Sequence, residues 1–237
     1  MTTIEANLQQ VRERIARSCQ QAGRDAKDVT LLAVSKTFDA NAVRQAQAAG
    51  QRVFGENYVQ EGVEKIQLLR SEDPTNPLEW HCIGPLQSNK SRLVAEHFDW
   101  VQSVDRLKIA QRLSEQRPDG LPPLQVCLQV NVDGGANKSG VAPEELLALA
   151  QAVAPLPRIR LRGLMSVPEP VDGFEAQRAV FLRVKGLFDD LNARGFALDT
   201  LSLGMSDDLD AAVAAGSTMV RVGRAIFGSR PARATGD

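Results

Sequence analysis

Eight short apolar runs, each of strand length and each separated from the next by residues at helical spacing, constrain this chain more than any other feature. They cover residues 31–35, 52–54, 79–83, 100–104, 124–132, 161–167, 200–205 and 219–227. Between them lie stretches such as Phe174, Val180, Phe181, Val184, Leu187, Phe188 and Leu191. Another is Leu146, Leu147, Leu149, Ala150 and Val153 behind the helix-starting Pro143-Glu144-Glu145. Strands that alternate with helices pair in parallel, because each parallel pair needs a crossover. Eight such units in 237 residues suit a closed (β/α)8 TIM barrel, which takes roughly 250 residues; an open sheet is the competing arrangement. The Pro-, Asp- and Asn-rich segments 71–77 and 118–123 are short enough to be loops. The expectation is one barrel domain over 1–230 and a flexible tail over 231–237.

Ahead of the first run, Ile4, Leu8, Val11, Ile15 and Cys19 fall at steps of four, three, four and four. That is an extra amphipathic N-terminal helix, stopped at Gly23. The same segment lacks a cationic start with a continuous apolar run, and nowhere do about 18 apolar residues follow one another. Neither secretion nor a membrane span is expected. The 28 basic and 29 acidic residues are interspersed, which argues against a nucleic-acid footprint. Cys19, Cys82 and Cys127 fit neither a CxxC zinc pattern nor a disulfide framework. They read as reduced thiols in a cytoplasmic protein.

In a barrel the site lies at the carboxyl ends of the strands, so polar residues that end apolar runs are the candidates. Lys36 follows Leu31-Leu32-Ala33-Val34-Ser35, where desolvation lowers an amine's pKa and prepares it for Schiff-base chemistry. A lysine there also reaches solvent along its aliphatic stem, and position alone leaves both readings open. On the fifth run Val126, Leu128 and Val130 share one face, and Cys127, Gln129 and Asn131 share the other, as in a barrel with a partly polar lumen. Ser206, before Asp207 and Asp208, is either a helix N-cap or part of an anion cradle. Arg221 interrupts an apolar run and must find acceptors. Phosphate sites in such barrels are often built after strands seven and eight, which groups Ser206 with Gly223 and Arg224. Together with Lys36 they suggest an aldehyde that bears a phosphate. The segment 134–140 fails as a Walker loop, because Asn137 precedes Lys138 where glycine is required. His81 and Cys82 point to opposite faces and His97 stands alone, so a metal site lacks ligands.

Leu32-Ala33-Val34-Ser35-Lys36, Phe54 through Glu61, Trp80 through Lys90, Arg162-Gly163-Leu164-Met165, Leu203 through Asp208 and Phe227-Gly228 together resemble the pyridoxal 5′-phosphate (PLP) homeostasis family, in the right order along nearly the whole chain. The resemblance implies the barrel of the alanine racemase amino-terminal domain, PLP fold type III, with PLP as cofactor. It implies that Lys36 forms the internal aldimine and that Ser206 and the Gly223 and Arg224 backbone hold the phosphate. Asn57, His81, Met165 and Arg221 would line the ring pocket, with Arg221 toward either the pyridine nitrogen or the phosphate. Arg224 stands where many members carry a small hydroxyl residue, which leaves its part to the backbone. Lys138 keeps a position that the family implicates in cofactor handling.

The function implied is a non-catalytic carrier that stores PLP or delivers it to apo PLP enzymes, as a monomer or weak dimer. The alternative is an amino-acid racemase, which needs a second acid/base on the opposite face of the ring. Racemases that resemble this barrel take that group, a tyrosine, from a carboxyl-terminal β domain. Here the one tyrosine is Tyr58.

Overall fold

In the computed structural model, which describes residues 3–134 and 139–229, each of the eight runs carries a strand. Lys138, with most of its rim loop, and the tail 231–237 lie outside the described residues. The strands are β1 (Thr30–Val34), β2 (Val53–Glu56), β3 (Glu79–Cys82), β4 (Trp100–Val104), β5 (Leu124–Gln129), β6 (Ile159–Met165), β7 (Thr200–Ser202) and β8 (Met219–Val222). They pair in parallel in chain order, and β8 returns to β1 in the register Thr30↔Met219 to Ala33↔Val222, which closes the barrel. The expected extra helix is α1 (Ile4–Gln21). The crossovers are α2 (Ala40–Ala48), α3 (Val59–Glu72), α4 (Ser91–His97), α5 (Leu107–Gln116), α6 (Leu146–Val153), α7 (Phe174–Ala193) and α8 (Leu209–Ala214), with a last turn α9 (Arg224–Phe227) after β8. No described helix is long and apolar enough to cross a membrane.

Three runs extend at least three residues beyond the strands they contain. The run 219–227 breaks at Gly223, because Ile226 buries itself in α9, where its carbonyl accepts from the Asn7 side chain of α1 at 2.8 Å. The run 200–205 ends its strand at Ser202, and Gly204 at φ +90° turns the chain over the barrel mouth. A side chain there would also drive into Ala212 of α8. The run 124–132 ends its strand at Gln129 and continues as a single bridge from Val130 to Val141.

Burial sorts the apolar residues into two shells. The outer shell joins Leu8, Val11, Ile15 and Cys19 of α1 to Phe54, Trp80, Phe98 and Phe181 between strands and helices. Each such side chain contributes about 1.5–3 kcal/mol on burial. Inside the barrel lie two smaller groups, Leu32, Val34 and Met219, and Trp100, Cys127 and Met165. The alternation on β5 is as the sequence suggests: Val126, Leu128 and Val130 join the outer shell and Cys127 turns inward. Burial pushes the Cys82 and Cys127 thiols up to about 12, so both stay protonated at neutral pH.

Candidate functional site

The strand ends surround a cavity of about 780 Å³ lined by Val34, Lys36, Phe38, Asn57, Ile83, Met205, Ser206, Arg221, Gly223 and Arg224, among others. This volume lies in the range of small-molecule sites. Six of the eight residues singled out from the sequence converge here: Lys36, Asn57, Ser206, Arg221, Gly223 and Arg224. Arg224 lines the rim, its side chain 75% exposed and 3.8 Å from Asp207.

Lys36 follows β1 at the end of a heavily braced segment. Lys65 of α3 donates to the Ser35 carbonyl at 2.8 Å, to Glu56 Oε1 at 2.8 Å and to Glu61 Oε1 at 2.7 Å. The Ser35 hydroxyl donates to the same Glu56 oxygen at 2.6 Å. On the other side, the Thr37 amide donates to Glu61 at 2.7 Å with Thr37 at φ +68°. A β-branched residue in the left-handed region is strained and persists only where its neighbours over-determine it. Burial drives the Glu56 carboxyl above its usual range against the opposing pull of Lys65.

Asn57, just after β2, is seated by Gly84: a Cβ at Gly84 would fall 2.2 Å from the Asn57 carbonyl oxygen. Asn57 Oδ1 is buried and finds no hydrogen-bond partner among the described residues. A buried, unsatisfied amide oxygen on a cavity wall is a place for a ligand donor or a water.

The opposite corner is a turn. The Met205 amide donates to Asp208 Oδ1 at 2.6 Å, and Arg14 of α1 donates to the Ser206 carbonyl at 2.6 Å while it also pairs with Asp210 at 2.7 Å. Ser18 of α1 donates to Asp210 as well. Ser206 therefore presents its side chain from a turn whose backbone is pinned from outside the barrel.

Arg221 lies on the floor between the two corners. Its Nη1 donates to the Ser202 carbonyl and hydroxyl, each at 2.7 Å, and its Nη2 donates to the Ser166 carbonyl at 2.9 Å. Burial lowers it to about 10, so it is still charged at neutral pH.

His81 and Met165 are not brought to the cavity with the others, and neither is among the residues that line it. Met165 packs with Trp100 and Cys127 inside the barrel. His81 is fully buried, stacked on Trp100 with centroids 4.9 Å apart, and both ring nitrogens are engaged, by Gln102 and by Glu79. A histidine with two protein partners and a stacked indole has no edge left for a ligand. Sequence reasoning missed Arg14, Glu56, Glu61, Lys65, Ser166 and Ser202. The signal for Glu56 and Lys65 was present, since a glutamate and a lysine nine residues apart lie at a strand end and on the following helix.

The model of the alanine racemase N-terminal domain matches residues 4–231. The chain is 61% identical over 230 residues to the pyridoxal phosphate homeostasis protein of Pseudomonas aeruginosa, covering 97% of each chain. Among solved structures it resembles PipY of Synechococcus elongatus with PLP bound, at 37% identity and a TM-score of 0.82, over 95% of this chain and all of the other. It also resembles the alanine racemase of Corynebacterium glutamicum, at 17% identity and a TM-score of 0.65, over 95% of this chain and 62% of that one. That last likeness concerns the fold alone.

Proposed function

The chain belongs to the alanine racemase N-terminal-domain family, among the pyridoxal phosphate homeostasis proteins, and from that premise we propose that its cavity takes PLP with Lys36 as the receiving amine. When bound, PLP supplies an aldehyde that condenses with an amine, and a phosphate that needs donors. The residues fit both ends. Lys36, Asn57, Ser206, Arg221 and Gly223 line one cavity, and this convergence carries the proposal. Ser206 and the backbone at Gly223 and Arg224 hold the phosphate end. Asn57 and Arg221 meet the ring, and His81 and Met165 support from beneath without contact.

The reading extends to a carrier that holds PLP, limits free aldehyde and passes it to apo PLP enzymes, without turnover of its own. Racemisation needs two positioned proton-transfer groups. Beside Lys36, the ionisable side chains on the cavity wall among the described residues are two arginines and Asp207, whose side chain is 81% exposed. An exposed carboxylate at the rim is poorly placed to return a proton to a bound substrate.

Borohydride reduction of PLP-loaded protein followed by peptide mapping tests the amine. The label is expected on Lys36 and lost in Lys36→Ala, and a label elsewhere in the unaltered protein overturns the assignment. Addition of L- or D-alanine tests the carrier reading. Turnover of about 1 per second or more, the low end of ordinary enzymes, would reject it. Mixing with an apo acceptor tests delivery: transfer no faster than release into buffer leaves storage but removes directed transfer.

A further inference from the structure

Beneath the cavity floor the barrel interior contains a continuous line of polar side chains. Arg221 Nη1 of β8 meets Ser202 Oγ of β7 at 2.7 Å. Ser202 Oγ meets Gln102 Oε1 of β4 at 2.6 Å, across the barrel. Gln102 Nε2 meets His81 Nδ1 of β3 at 2.9 Å, and His81 Nε2 meets Glu79 Oε1 at 2.8 Å. Glu79 begins β3, at the mouth opposite the cavity, with its side chain 44% exposed.

The direction of every link is fixed by the two ends. A guanidinium only donates and a carboxylate only accepts. Ser202 therefore accepts from Arg221 and gives its own proton to Gln102 Oε1. The Gln102 amide donates one hydrogen to His81 Nδ1, and its other faces Met219 Sδ at 3.1 Å. His81 must then be neutral, with its proton on Nε2 and donated to Glu79. The reverse amide orientation would leave the Ser202 hydrogen without this acceptor. It would also require an imidazolium, to donate at both Nδ1 and Nε2, in a site whose burial drives His81 toward the neutral form. The other charged groups near His81 are Asp99 and Glu79. The Arg162 guanidinium lies 4.8 Å from the centroid of the Trp100 ring on which His81 stacks, and is itself paired with Asp199.

We propose that Ser202, Gln102, His81 and Glu79 form a one-directional hydrogen-bond relay that positions Arg221 on the cavity floor. Glu79 is the acceptor that terminates the relay, and Ser202 is held with its lone pair toward the guanidinium. The four are positioning residues, and they link the donor geometry of the floor to an ionised group at the far mouth. The ligand part of the test rests on the reading that the cavity takes PLP; the imidazole part does not.

The chain has two histidines, so 15N-histidine labelling of the full chain, with His97→Gln for assignment, reads His81 directly. The expected signal at neutral pH is a neutral Nε2–H tautomer, with protonation displaced below the ordinary histidine pKa of about 6.5. An Nδ1–H tautomer or an imidazolium overturns the relay. Glu79→Gln keeps an acceptor oxygen and removes the charge. It is expected to mix the His81 tautomers and to weaken PLP and pyridoxal by the same factor, roughly threefold to tenfold on the scale of one hydrogen bond, because the floor meets the ring and not the phosphate. Gln102→Leu should give a larger loss with the same parity. Unchanged binding of both ligands in Glu79→Gln, or a loss confined to PLP, overturns the proposal. If neither ligand binds the unaltered protein, the PLP reading fails while the tautomer still decides the relay.

Discussion

The amine end and the anion end of the cavity are built on opposite plans. Around Lys36 the chain is fixed from behind by a buried cluster, with Glu56 fully buried, the Lys65 side chain 7% exposed, and Thr37 held at a strained φ. Around Ser206 the turn is on the surface, with Met205 42% exposed, and it is braced from outside by Arg14 and Ser18 of α1. The difference fits the chemistry proposed for each end. Condensation of an amine with a carbonyl demands a near-attack geometry, where a small misplacement is costly. A phosphate held by a hydroxyl and backbone amides accepts several geometries at similar energy.

The comparison breaks most visibly at Lys65. Replacing it with methionine leaves Glu56 buried without its counter-charge, which costs about 3–5 kcal/mol, measurable by urea unfolding. The pH dependence has a definite sign. Burial already raises Glu56, so its favourable contribution is complete below the ordinary carboxylate pKa and is lost as pH rises through the folded value. Without Lys65 that value rises further, so the stability of Lys65→Met should fall with increasing pH over a wider window. Glu56→Gln in the same background should restore most of the loss, and a double variant no more stable than Lys65→Met would show that the cluster is not held by this charge pair.

At the anion end the expected loss is smaller and is read as selectivity. Ser206→Ala with Gly223→Val removes a donor and brings a Cβ within 3.2 Å of the Val34 carbonyl oxygen. PLP should weaken about tenfold or more relative to pyridoxal, the scale of one charge-assisted hydrogen bond. Equal losses for the two ligands, in parallel titrations, would move the phosphate elsewhere.

What the sequence reveals divides along the same line. The barrel was legible because alternation between strand-length runs and helical spacing is a local signal, repeated eight times. Lys36 and Ser206 were legible as cavity residues because each directly follows such a run. The supports were not. Gln102 and Ser202 are polar residues inside short apolar runs, and they meet each other only across the barrel, from β4 to β7. Arg14 reads as the polar face of an amphipathic helix until α1 is seen to pack against α8 and α9. The surroundings of His81 were not legible, because a strand residue two positions from the barrel mouth can face either the cavity or the interior, and its partners Glu79 and Gln102 appear only in the fold. Thr37 carries no warning, since left-handed positions are normally marked by glycine or asparagine.

Arg14→Ala tests whether the outer brace matters to the cavity. The Arg14–Asp210 pair is partly exposed, with side chains at 33% and 43%, so its worth to stability is at most about 1 kcal/mol. The Ser206 carbonyl also loses its donor, and the turn should loosen. The expected outcome is a PLP affinity about threefold lower, of the order of one surface contact, with pyridoxal unchanged. A change of equal size for pyridoxal would mean that α1 supports the whole barrel and not this corner.

The smallest effect is expected at Thr37, and it separates strain from stability. A left-handed conformation costs an L-residue about 1–2 kcal/mol, and Thr37 Oγ1 is buried with no partner among the described residues, so Thr37→Gly removes two unfavourable features at once. Glycine also widens the unfolded ensemble, by about 0.4–1 kcal/mol. The two nearly offset, and the melting temperature should stay level or rise slightly. The geometry of Lys36 should not stay level, because glycine lets the turn sample both signs of φ and relaxes the segment that Glu61 and Lys65 hold. Condensation of Lys36 with pyridoxal, followed by stopped-flow absorbance, should therefore slow a few-fold while the fold is unharmed. A variant that is clearly less stable would show that Thr37 is not strained, and one that reacts at the original rate would show that the strain does not aim the lysine.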